Sequence, residues 1–155
     1  MTSTPESIDP FDLARFVAAQ EGRFTSALNE LKQGSKKSHW IWFIFPQLDG
    51  LGRSSTAKHY SIKSRGEAEA YLQHPLLRQR LVQCAEALLH LHGNSATEIM
   101  GHPDDMKFRS CMTLFASILE DDSVFRKVLD KYFQGHADPK TLRILMAGHG
   151  SAKNR

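Results

Sequence analysis

Both tryptophans of the chain, Trp40 and Trp42, lie in one short run that opens with Lys36-Lys37-Ser38-His39 and closes with Phe43-Ile44-Phe45-Pro46-Gln47. An indole can stack on a flat ligand, His39 and Gln47 carry polar handles, and the lysines attract negative charge. The loop Gly50-Leu51-Gly52-Arg53-Ser54-Ser55-Thr56 follows. Gly50 and Gly52 would let backbone N–H groups approach a ligand. If the residues beyond are helical, Arg53 and Ser54 complete an anion cradle. The loop matches neither GxxxxGK[ST] nor GxGxxG, and a tight turn followed by an N-cap accounts for the same residues. The aromatic run has a plain reading too, as a core helix of which Phe43, Ile44 and Phe45 are the buried part.

A third segment is His102-Pro103-Asp104-Asp105-Met106-Lys107-Phe108-Arg109-Ser110. Acids in the first turn of a helix ordinarily complement its dipole, and the bases that follow are ordinarily solvated. The chemical alternative makes Asp104 or Asp105 a general base or an acceptor for a ribose hydroxyl. Lys107 or Arg109 would then pair with a phosphate, and Ser110 would add a hydroxyl. Trp40 or Trp42 would stack on the ligand's planar end.

These segments need a scaffold, and helix punctuation supplies one. Asp9-Pro10 suits an N-cap with proline in the first turn, followed by Phe11, Phe16, Val17, Phe24, Leu28 and Leu31 up to Gly34, with Gly22 as a break. Ser64-Arg65-Gly66-Glu67 and Ser95-Ala96-Thr97-Glu98 have the form of capping boxes. Pro75 opens a helix that runs to Gly93, Pro103 one that reaches Leu119, and Val124–Phe133 another stopped by Gly135. Asp138-Pro139 starts a last short helix ended by Gly148. The segment from His39 to Phe45 is β-prone by propensity, but a lone strand would have no partner, so it reads as a short buried helix that Ser38 could cap and that ends before Pro46. The expectation is a mainly α, single compact orthogonal multi-helix domain over 8–148, with about seven or eight helices. Residues 1–7 and 149–155 are expected to be flexible termini.

The bulk numbers narrow the classes. A chain of 155 residues, 41% hydrophobic and 24% charged, is one ordinary globular domain. A net charge of +3 is a weak bias, although Lys32, Lys36 and Lys37, then Arg53, Lys58, Lys63 and Arg65, concentrate it near the aromatic run and favour an anionic small molecule. Cys84 and Cys111 fall in apolar helical periodicity as buried free thiols. His90 and His92 stand two apart and cannot share a helix face, so no metal site is expected. No cofactor motif occurs. With no secretion signal and no apolar run of membrane-spanning length, the expected location is the cytoplasm, away from membranes.

Lys37-Ser38-His39-Trp40-Ile41-Trp42-Phe43-Ile44-Phe45-Pro46-Gln47 with Gly50-Leu51-Gly52-Arg53-Ser54 resembles the hallmark of an uncharacterised, largely bacterial family, DUF1810, whose members often carry the label calpastatin. Glu67-Ala68, Tyr71-Leu72, His74-Pro75, Arg80-Leu81, Gly101, Pro103-Asp104-Asp105, Lys107, Arg109-Ser110 and Met112-Thr113-Leu114-Phe115 extend the likeness from about Phe11 to about Leu145. It implies a mainly helical single domain and no established activity. The calpastatin label does not fit, because calpain inhibitors are disordered polar chains. Arg78 stands where the pattern has glycine, and Cys111 where it has a second serine. The C-terminal half, through Ala96, Gly101, Asp104-x-x-Lys107, Leu119-Glu120, Phe125 and Val128-Leu129, is more faintly similar to the NADAR N-glycosidases. That likeness implies action on ADP-ribose-linked or riboflavin-pathway intermediates, with the catalytic glutamate falling at Glu67 or Glu69. That family has phenylalanine in place of Leu119, and its methionine falls on Cys111.

The function these residues support is binding of a nucleotide-like or ADP-ribose-like small molecule; the fainter resemblance implies N-glycosidic hydrolysis as its enzymatic form, with Asp104, Asp105 or Glu67 stabilising an oxocarbenium-like centre or activating water. The alternative is a non-catalytic module for a protein or single-stranded nucleic acid. Modest charge and the lack of a repeated aromatic platform weigh against the nucleic acid.

Overall fold

Helix punctuation translates closely into element boundaries. The computed structural model describes residues 8–153, with side chains through 148. Among them are ten helices, seven of which have seven or more residues. In order they are α1 (Ala14–Gln20), α2 (Phe24–Gln33), α3 (Ile41–Ile44), α4 (Ser55–His59) and α5 (Arg65–Gln73). Then follow α6 (Pro75–His90), α7 (Ala96–Met100), α8 (Asp104–Ser117), α9 (Val124–Phe133) and α10 (Pro139–Lys153). No strand occurs among the described residues; one isolated parallel bridge joins Leu48 to Ile62. The mainly α fold is as expected.

The caps explain where the helices begin and end. Ser54, Ser64, Ser95 and Ser123 each accept from a backbone N–H in the first turn that follows, which satisfies a donor the helix itself leaves open. The Ser95–Glu98 capping box is complete. At Ser64 the box is half made: Ser64 accepts from the Glu67 amide, but the Glu67 carboxylate accepts from Lys63 N at 2.9 Å instead. Gly34 ends α2 in the left-handed region at φ 77°, where a Cβ would be strained.

Several boundaries differ from expectation. Asp9 does cap, accepting from Leu13 N at 2.8 Å and Ala14 N at 2.9 Å, so α1 starts at Ala14 and Pro10 and Phe11 precede it. Ser38 does not cap α3; its hydroxyl donates to Glu30 at 2.7 Å. The last helix continues past Gly148 to Lys153. A glycine inside a helix weakens it without ending it unless the backbone turns left-handed. The expectations for 1–7 and for 154–155 fall outside the described residues.

Aromatic side chains hold the interior together. Trp40, Tyr71, Phe16, Phe45, Phe108, Phe115 and Phe125 are fully buried. Trp40 meets Phe45 at 6.1 Å between ring centroids, Phe45 meets Phe108 at 5.4 Å, and Phe108 meets Phe133 at 5.6 Å. This line of rings fixes α3 onto α8 and α9. Burial of Ile41, Phe43 and Ile44 contributes about 1.5–3 kcal/mol each. Cys84 and Cys111 are buried and free. Burial pushes the Cys84 thiol up to about 12 and also raises Cys111, which has Cys84 nearby. Neither ionises readily, so both act as small apolar residues.

Two polar side chains position α3. Behind it, the buried Gln20 amide donates to Phe43 O at 2.8 Å and to the Tyr71 hydroxyl at 3.3 Å, while its oxygen accepts from Arg80 at 3.2 Å. In front, the Glu30 carboxylate accepts from Lys37 N, Ser38 N, the Ser38 hydroxyl and the Trp40 indole N–H, at 2.7–3.2 Å. Partial burial works to raise the Glu30 carboxyl, but these hydrogen bonds prevail and bring it from 4.5 down to about 2. A carboxyl depressed in the folded state contributes stability above its unfolded pKa and loses it as pH falls through the folded value. Glu30→Gln should therefore cost about 1–2 kcal/mol at pH 7, allowing for solvent screening at this half-buried site. The gap should close between pH 4.5 and about 2. Urea melts at pH 7, 4 and 2.5 check this, and a gap that stays constant across them would contradict the assignment.

Candidate functional site

Chain segments far apart in sequence form one groove. The bridge at Leu48–Ile62 is closed by Ile62 N donating to Gln47 O at 2.9 Å and Asp49 N donating to Ile62 O at 2.8 Å. These bonds fix the loop after α3, so that Gln47, Leu51 and Gly52 face the first turns of α8. On that side stand Pro103, Met106, Lys107, Arg109 and Ser110. The turn into α10 contributes Asp138 and Lys140, and the cavity, open to solvent on one side, measures about 200 Å³.

The wall built by α8 is held from behind. Arg109 donates to His136 O and Ala137 O, each at 2.9 Å, and its guanidinium lies 5.7 Å from the Phe133 ring centre. Asp138 N donates to the Thr113 hydroxyl at 2.8 Å. The Asp138 Oδ2 atom accepts from the Ser110 hydroxyl at 2.9 Å and from Thr141 N and Oγ1 at 3.2 and 2.5 Å. The turn from residue 136 to 141 is thus fastened to α8 by both side chain and backbone.

Gln47, Gly52, Lys107, Arg109 and Ser110 therefore come together, whereas other expected site residues do not line this groove. Trp40 is 2% exposed, with its N–H given to Glu30 and Lys36 Nζ 5.0 Å from its ring centre; no ligand can stack on it as placed. Trp42 is half-buried and stands beside the groove through Lys107, whose ammonium lies 5.5 Å from the indole centre. His39 is exposed and stacks against Trp42 at 6.4 Å. The Trp42 Nε1 atom is buried without a hydrogen-bond partner among the described residues, so only the ring faces could serve a ligand.

Gly52 has a packing reason to be glycine: a Cβ there would come within 2.5 Å of the Ala57 Cβ. Gly50 needs its positive φ of 100° for the turn itself. Ser54 is occupied as the cap of α4, accepting from Ala57 N at 3.0 Å. Arg53 is exposed, with no hydrogen bond among the described residues, and lies outside the groove wall.

The three acids proposed for catalysis are all committed elsewhere. Asp104 pairs with the nearly buried ammonium of Lys36 at 2.9 Å and with Lys107 at 3.5 Å. Asp105 accepts from the Thr97 hydroxyl at 2.6 Å and contacts His102 Nδ1 at 3.0 Å. Glu67 is buried against Arg15 at 2.6 Å and borders a different cavity, next to Lys58 and His59. That arginine also donates to the carbonyls of Phe11, Asp12, His59 and Ser61, so the pair is a structural staple. Asp138 and Lys140 are the groove residues that the sequence reading missed. Asp138 had been recognised only as the start of a helix, and nothing in its spacing ties it to Ser110.

Among the described residues no group of three His, Cys, Asp or Glu side chains could hold a metal ion. No helix among them is long and apolar enough to cross a membrane.

A family model described as a protein of unknown function, DUF1810, matches residues 10–145. The fold is similar to the crystal structure of the conserved hypothetical protein Rv1873 from Mycobacterium tuberculosis, determined at 1.38 Å. The two are 48% identical with a TM-score of 0.87, over 89% of this chain and 99% of that one. No curated protein matches the chain.

The Arg109 clamp gives a direct test of how the groove is held. Lysine is a point charge and cannot present the planar fork that reaches both carbonyls. Arg109→Lys should lower stability by about 1–2 kcal/mol in urea unfolding. Arg53→Ala, on an exposed side chain, should stay within about 0.5 kcal/mol of the parent.

Proposed function

The chain belongs to the DUF1810 family, and from that premise we propose that it binds a small anionic, nucleotide-like molecule in the groove between the Gln47–Gly52 loop, α8 and the start of α10. The observation that carries this reading is the wall itself. Lys107, Lys140 and the guanidinium of Arg109 border one small concavity together with the Gln47 amide, while the Ser110 hydroxyl is already given to Asp138. Cations and neutral donors converging on a cavity favour a phosphate or carboxylate. Trp42, beside Lys107, offers a flat apolar surface for a base or other planar end of the ligand.

The size of the cavity limits what enters. About 200 Å³ is below the roughly 300–1,000 Å³ of a pocket for a drug-sized ligand. It suits one charged group with a few neighbouring atoms, so a whole ADP-ribose would leave most of itself outside.

Hydrolysis of an N-glycosidic bond draws no support from Asp104, Asp105 or Glu67, each of which is already paired. Binding is the function proposed, without chemistry assigned to these acids. The module alternative draws less support still, because Trp40 is buried and one half-buried indole makes no stacking platform for a single strand.

Thermal-shift titration of the full chain with inorganic phosphate, nucleoside monophosphates, ADP-ribose and a single-stranded oligonucleotide tests the reading. A phosphate-bearing ligand at about 100 times its Kd should add about 2.7 kcal/mol of stability. Lys107→Ala and Lys140→Ala should each weaken that effect while Arg53→Ala leaves it. A shift indifferent to both lysines, or a salt-sensitive shift with the oligonucleotide alone, would overturn the proposal.

A further inference from the structure

Asp138 is the residue of the groove that a simple anion site does not explain. A carboxylate beside Lys107 and Lys140 repels an incoming anion, yet it lines the same cavity. Its structural work occupies one oxygen. The Oδ2 atom takes the Ser110 hydroxyl, Thr141 N and the Thr141 hydroxyl. Oδ1 accepts no hydrogen bond among the described residues. Capping α10 needs only the first oxygen, and asparagine or serine would supply it.

From this we infer that Asp138 makes the groove selective for a phosphorylated polyol, of which a sugar phosphate is the simplest example. This inference rests on the anion-binding reading above. Lys107 and Lys140 would take the charge, and a hydroxyl a few bonds away would donate to Asp138 Oδ1. A hydrogen bond from a neutral hydroxyl to a charged carboxylate is among the stronger ones, whereas an oxyanion set there gains nothing and is repelled. The small cavity agrees with this, since it accommodates a phosphate and adjoining hydroxyls with little else.

Isothermal titration of the full chain with ribose 5-phosphate, inorganic phosphate and ribose separates the contributions. Ribose 5-phosphate should bind at least about tenfold more tightly than inorganic phosphate, and free ribose should not bind measurably. Asp138→Asn keeps an oxygen for the cap but puts an amide donor where Oδ1 stood. It should bring the two affinities within about twofold of each other while phosphate binding is kept or improved. Asp138→Ser, which caps without reaching into the groove, should do the same and serves if the asparagine variant does not fold. Equal affinities in the parent chain, or a sugar preference that survives both variants, would overturn the inference and leave the anion site intact. Failure of every phosphate compound to bind would overturn both readings.

Discussion

A helical turn of four residues cannot stand alone in water, because nucleation costs more than so few hydrogen bonds return. Yet α3, Ile41–Ile44, sits at the centre of this molecule and directs the loop that forms one side of the groove. Its stability is supplied by its neighbours. Glu30 gathers the approach to it, Gln20 takes the carbonyl of Phe43, and Phe45 locks the exit against Phe108. Once α3 is fixed, Pro46 and Gln47 have a single place to go. The bridge to Ile62 then carries the direction on to Gly52. The groove is therefore a downstream consequence of how one short helix is fastened.

Much of this was legible in the residues, for an identifiable reason. Helix ends are local events: a serine or aspartate before the first turn and a left-handed glycine after the last act within a few residues of themselves. The breaks at Gly22 and Gly34 and the caps at Ser64 and Ser95 could all be recognised in this way. The short buried helix after His39 followed from the same logic, since nothing else in the sequence could pair with a strand. Where a glycine had neither a turn to make nor a neighbour to avoid, as at Gly148, residue type alone misled.

What was not legible was the long-range use of polar side chains. Glu30 lies in the middle of α2 with the spacing of a solvated residue. Its partners are in another segment, and helical periodicity does not encode them. Trp40 and Trp42 looked alike in sequence, but only the structure separates the indole sealed under Glu30 and Lys36 from the one left beside Lys107. Asp104 and Asp105 followed the ordinary habit of acids at a helix start. Asp138 and Lys140 were overlooked because the separation of 28 positions between Ser110 and Asp138 closes up only when α9 folds back along α8.

The Arg109 clamp belongs to a recurring pattern. Arg15 draws in the carbonyls of four residues besides its pairing with Glu67, and Lys131 holds Leu88, Leu89 and Leu91 at the exposed end of α6. In most of these contacts the partner is a neutral oxygen, so no acid is needed opposite the base. A fold that uses arginine and lysine as fasteners for its own backbone accumulates positive charge as it is assembled. The isoelectric point near 9.0 can then be understood in part as a by-product of construction. The total charge of such a chain is a poor guide to its partners; the bases left facing a cavity are the informative ones.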